Sequence, residues 1–150
     1  MRAAYLWLAR IIAVLVVVQA MTIVFAVSGL FHWIGAEGGS VDDSVVKSWE
    51  TTPPTFTGAI GHFIHLMMGE RVLPVLALLL LIVAFFAHVN RGVVIALALF
   101  VLVMLQTFSG LFGDQMPYLG LWHGLGAFLV FGAAMAAAMK AKEEPVAAPA

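Results

Sequence analysis

Hydrophobic positions along this chain run together rather than alternate, and they gather into four long stretches at about residues 5–31, 60–87, 93–112 and 118–139. A helix needs about 20 mostly apolar residues to cross a hydrocarbon layer of about 30 Å, and each stretch meets that length. The pattern predicts an all-α fold, a four-transmembrane-helix antiparallel bundle over residues 1–142. Between the first two stretches, residues 32–59 are rich in Gly, Ser, Thr, Asp and Pro, the composition of a loop. They are expected to form an external flap, with a short helix near Val45 to Trp49. Residues 143–150, with two prolines and several alanines, read as a disordered cytoplasmic tail.

Composition sharpens this picture. With 63% hydrophobic residues and a mean hydropathy of +1.08, a water-soluble fold of this size could not bury its apolar surface. Charged residues make up 10% and the net charge is −1, so no basic field is present to hold nucleic acid. The absence of cysteine removes thiolate metal sites, disulfides and thiol catalysis. Ala26 and Ser28 near the end of the first stretch imitate a signal-peptide cleavage site, but an uncleaved anchor is the reading taken. Arg2, Arg10, Arg91, Lys140 and Lys142 share one side if the N-terminus is inside, leaving chiefly Lys47 opposite. The positive-inside rule then predicts a multi-pass protein of the cell membrane with cytoplasmic N- and C-termini.

Five histidines in so apolar a chain carry the chemistry, because ionisable groups within spans are costly and face a bundle interior. His62 and His65 fall in the outer part of the second span and His123 in the outer part of the fourth. His32 ends the first span and His88 lies at the inner end of the second. Both even-numbered spans run from outside to inside, so His65 and His123 are expected to face one another. Two opposed imidazoles suit a heme iron. Counted from the inner ends, His65 is 23 residues from His88 and His123 is 17 from Lys140, a depth difference of about 9 Å for ragged inner ends or helix tilt to absorb.

A porphyrin between helices needs room. Gly61 and Gly69 lie four residues either side of His65, Gly120 and Gly126 three either side of His123, and Gly124 follows it. Positions three and four apart share a helix face, so these glycines are expected to open a slot for the ring. The competing reading is close helix packing, for which Gly120 and Gly124 have a small-xxx-small spacing. His62 shares His65's face and is assigned to cap the site or bond a propionate. Arg71 leans outward, toward where propionates would lie, or pairs with Glu70. His32 and His88 are read as interfacial. Gln19 and Gln106 are read as interhelical hydrogen-bonding residues with no chemical role.

These residues resemble one four-helix half of heme A synthase. His65-Leu-Met-Met-Gly69-Glu-Arg71 is similar to the family's second-helix pattern, Leu105-Gln106-Thr-Phe-Ser-Gly110 to its third, and Leu121-Trp-His123-Gly-Leu-Gly-Ala127 to its fourth. The resemblance covers roughly residues 60–139. It implies that His65 and His123 bind heme. Leu66 stands where the family has an arginine, His62 where its oxidising half has a glutamate, and the loop lacks the cysteine pair of many bacterial members. These departures point away from the synthase reaction and toward the short four-helix relatives of unknown function.

The leading expectation is a cytochrome b-like membrane protein holding one heme b near its outer face. It would transfer electrons or handle heme, with a redox partner or respiratory complex. One alternative is a minimal heme-modifying oxidoreductase, working as a homodimer that recreates two bundles. Another is a cofactor-free subunit of a membrane complex. A metal site built from His32, His62, His65 and His123 ranks below heme, because it leaves the glycines no purpose beyond packing. Two hemes would need a second inner pair, and Met139 and Lys140 stand where His88 would need its partner.

Overall fold

The computed structural model describes residues 1–49, 51–113 and 115–143, and among these the fold is all-α. The helices are α1 (Arg2–Ala36), α2 (Asp43–Ser48), α3 (Ala59–Met67), α4 (Leu73–Ala84), α5 (Gly92–Leu111) and α6 (Pro117–Lys142). A π-helical turn, Met68–Val72, joins α3 to α4. Four stretches are long and apolar enough to cross a membrane: α1, the continuous helical run Ala59–Ala84, α5 and α6. The chain is a multi-pass membrane protein. At 35 residues, α1 measures about 52 Å, longer than the hydrocarbon layer, and it ends later than the expected 31. It stops where Gly38 adopts a left-handed φ of 76° and Gly39 N–H bonds back to the Trp33 carbonyl. Of the expected tail, residues 144–150 lie outside the described residues, and Glu143 forms an ion pair with Lys140 at 2.8 Å.

Packing divides the chain into two compact units: Met1–Val16 with Gly69–Ala150, and Val17–Met68. In the first, α5 packs against both α4 and α6. Tyr5, Ile12, Leu80 and Leu99 are fully buried, and Ala9, Ala77, Ala96, Ala134 and Ala137 surround them. Alanine dominates because lipid is as apolar as leucine, so helices associate only where small residues let backbones approach. Buried in this core, the Tyr5 hydroxyl donates to the Gly92 carbonyl at 3.0 Å. Arg10, a charge within an apolar helix, lies over the Trp7 ring at 4.9 Å.

The π-helical turn leaves one carbonyl without a backbone donor. In its i→i+5 register the donor for the Gly69 carbonyl would be residue 74, which is proline and has no N–H. Thr107 on α5 supplies the missing donor, its hydroxyl bonding the Gly69 carbonyl at 3.0 Å. Gly69 thus sits at an interhelical hydrogen bond, which the spacing argument does not anticipate.

The second unit is held by backbone-to-backbone approach. A Cβ on Gly29 would overlap the Thr57 carbonyl, one on Gly61 would overlap the Thr22 carbonyl, and one on Gly58 would lie 2.5 Å from the Phe25 carbonyl. Gly58 also has φ 95°, a conformation that side chains resist. Outside the helices, Phe56 stacks on Trp33 at 5.8 Å and contacts Trp49 at 6.0 Å, beside a hollow of about 420 Å³. The short helix expected near 45–49 is α2, capped by Asp42, which accepts from the Ser44 and Val45 amides at 2.8 and 3.0 Å. Bonds from the Ser44 hydroxyl and these two amides stabilise the carboxylate, so the Asp42 pKa lies below its ordinary value.

Candidate functional site

Each unit places one of the two candidate ligands against a glutamine. In the second unit, Gln19 on α1 donates from Nε2 to the His65 carbonyl at 3.0 Å, and His65 Nδ1 lies 3.0 Å from the Gln19 carbonyl oxygen. In the first unit, Gln106 on α5 donates from Nε2 to the His123 carbonyl at 2.8 Å, and His123 Nδ1 lies 3.0 Å from the Gln106 carbonyl oxygen. The repetition extends one turn further. Thr22, three residues after Gln19, donates to the Gln19 carbonyl at 3.0 Å, and Ser109, three after Gln106, donates to the Gln106 carbonyl at 2.9 Å. Two helix pairs therefore carry one constellation, Gln-x-x-Ser/Thr on one helix and His on the other.

The chemistry of this arrangement follows from its acceptor. A backbone carbonyl oxygen can only accept, so a neutral imidazole 3.0 Å away must carry its proton on Nδ1. The lone pair is then on Nε2, the form in which a histidine ligates a metal while its other nitrogen is held by a backbone carbonyl. The Ser109 hydroxyl also approaches His123 Nδ1, at 3.3 Å. Because Ser109 gives its proton to the Gln106 carbonyl, it can accept there without changing the tautomer.

Glycines make the close fit possible. A Cβ on Gly110 would lie 2.9 Å from His123 Cε1 and 3.2 Å from Nδ1, and one on Gly126 would overlap Gln106 Oε1. Gln19 is 8% exposed, and the Oε1 atoms of both glutamines are buried without a hydrogen-bond partner among the described residues. An unsatisfied buried acceptor costs about 1–3 kcal/mol, and the fold accepts it twice. From sequence, Gln19 and Gln106 have no chemical role, Ser109 and Gly110 enter only as part of the third-helix motif, and Thr22 does not enter.

The remaining candidates distribute as follows. Gly120 and Gly124 have nothing within 4 Å of an added Cβ and so stand open, whereas Gly61 is closed by α1. At Gly61 the missing side chain serves helix packing. His62 is exposed, and so is Arg71, which makes no ion pair with Glu70 among the described residues. His32 is exposed and lies 3.5 Å from Glu37, while His88 sits in the α4–α5 turn with φ 50°. Among the described residues, no three His, Asp or Glu side chains gather as a metal cluster. No family model, curated protein or solved structure matches the chain.

Proposed function

We propose that the chain is a membrane-embedded b-type heme protein in which His65 and His123 are the two iron ligands. The observation that carries this reading is the duplicated fixation of both imidazoles through Nδ1, which puts the lone pair of each on Nε2. The residues present suit heme b: two like nitrogen donors, open glycine at 120 and 124, and an exposed Arg71 outside any Glu70 pair among the described residues, suited to an anionic propionate. Heme held by two histidines has no open iron position, so it supplies one-electron transfer rather than oxygen activation. The protein's part is to orient the two imidazoles and exclude water. A redox partner or respiratory complex and an extracytoplasmic heme position belong to the same reading. The heme-modifying oxidase acting as a homodimer remains a narrower version of it.

Titrating hemin into the purified protein in lipid nanodiscs tests the reading. The expected result is stoichiometric binding with a low-spin Soret band that sharpens and shifts on reduction. A protein that takes up no hemin at micromolar concentration overturns it. That outcome favours a cofactor-free subunit, to which the packing role of Gly61 already lends support. The proposed orientation has its own test: a reporter fused after Ala150 is expected to be active on the cytoplasmic side, and activity only outside the cell reverses the topology.

A further inference from the structure

We infer that Gln19 and Gln106 are positioning residues of a duplicated clamp that fixes His65 and His123 in the Nδ1–H tautomer and presents Nε2 as the donor atom. The clamp rests on the heme reading for its purpose and on the hydrogen bonds alone for its existence.

The argument starts from what a glutamine gains in these positions. Leucine would fill either site without burying a polar atom, yet both glutamines keep an Oε1 that is buried and unpartnered among the described residues. What each secures is the Nε2 bond to the histidine carbonyl, at 3.0 and 2.8 Å. That bond ties the histidine's backbone to the glutamine's helix. Together with the return bond from Nδ1, it closes a ring of two hydrogen bonds between the same two residues. A ring of this kind fixes both where the imidazole sits and which way it turns. One bond alone would leave the helices free to slide along each other.

The hydroxyls are compatible with this tautomer. Thr22 and Ser109 donate to the same carbonyls that face Nδ1, at 3.0 and 2.9 Å, so each hydroxyl gives its proton to a carbonyl and none to the imidazole. In the first unit, glycines make room for this arrangement: Gly110 for the His123 ring and Gly126 for the Gln106 amide. Two separately packed units reach the same solution with residues of different sequence context. Generic interhelical glue does not require a histidine opposite each glutamine, or a Ser or Thr at the third position after it.

Solution histidine prefers the opposite, Nε2–H form, so the clamp has a spectroscopic signature. Solid-state NMR of the ¹⁵N-histidine-labelled full chain in lipid, without heme, is expected to show two of the five histidines protonated at Nδ1 and bare at Nε2. Gln19→Met, which keeps chain length but removes the donor, is expected to release His65 into a tautomer mixture and leave His123 unchanged. Gln106→Met should do the converse. Finding His65 or His123 as Nε2–H in the unaltered protein overturns the proposal, and needs no variant to fold. Variants that fold and leave both tautomers fixed also overturn it. In a parallel hemin titration each Met variant is expected to bind about 10–100-fold more weakly. If the tautomers appear as expected but hemin never binds, the clamp stands and the heme reading fails.

Discussion

Replacing His123 by alanine is expected to abolish the proposed low-spin heme binding, and replacing His65 is expected to do the same. Loss of partners that merely orient a metal-bound histidine costs about 10–100-fold in affinity, so loss of the ligand itself is expected to exceed about 100-fold. The hydrogen-bonding position of the two residues makes them distinguishable from the other histidines. His65 and His123 are half-buried and bonded through Nδ1 to a carbonyl on a neighbouring helix. His88 is exposed in a turn and His32 lies at an exposed helix end beside Glu37. Consequently His88→Ala and His32→Ala should each retain the full spectrum. The measurement is hemin titration of each purified variant, read at the Soret band. An unchanged low-spin spectrum in His123→Ala removes the central assignment.

Much of the fold was legible because a membrane span is read from length and hydropathy, and both are properties of a window rather than of a single residue. All four expected spans coincide with long apolar helical runs, and their ends shift by a few residues for local reasons: Gly38 at the end of α1, for example, and the turn at 85–91 after α4. The division into two units was not legible. It depends on which helix faces meet, and the hydrophobic runs are apolar on every side. The candidate ligands stood out because histidine is rare in hydrocarbon. Their partners did not, since a lone glutamine vanishes in an apolar average and Gln-x-x-Ser/Thr means nothing until a histidine lands opposite. The turn at Met68–Val72 was hidden for the same reason: Pro74 announces a missing donor, but only the fold shows that Thr107 replaces it.

The glycines mark where sequence spacing cannot decide, because a heme slot and a close helix contact both call for a residue without a side chain. The structure separates Gly61 from Gly120, and two substitutions exploit the separation. Gly61→Leu places a side chain onto the Thr22 carbonyl of α1, a backbone atom that cannot step aside. Overpacking typically costs about 1–3 kcal/mol, more where nothing yields, so the α1–α3 pair should loosen and the thermal midpoint fall even without heme. Gly120→Leu meets nothing within 4 Å, and leucine suits both helix and hydrocarbon. The heme-free protein should therefore insert and melt as before. Yet Gly120 lies three residues before His123, on the same face of α6, where the proposed ring needs room. A penalty of about 1–3 kcal/mol on binding alone corresponds to a loss of roughly tenfold or more, at about 1.4 kcal/mol per decade. Two readouts are needed: the melting midpoint of the heme-free protein and the heme content per inserted chain. Reduced heme content with an unchanged midpoint in Gly120→Leu assigns that glycine to the cofactor. Full occupancy in Gly120→Leu shows that no ring lies over this face of α6, and the proposed slot then loses its open side.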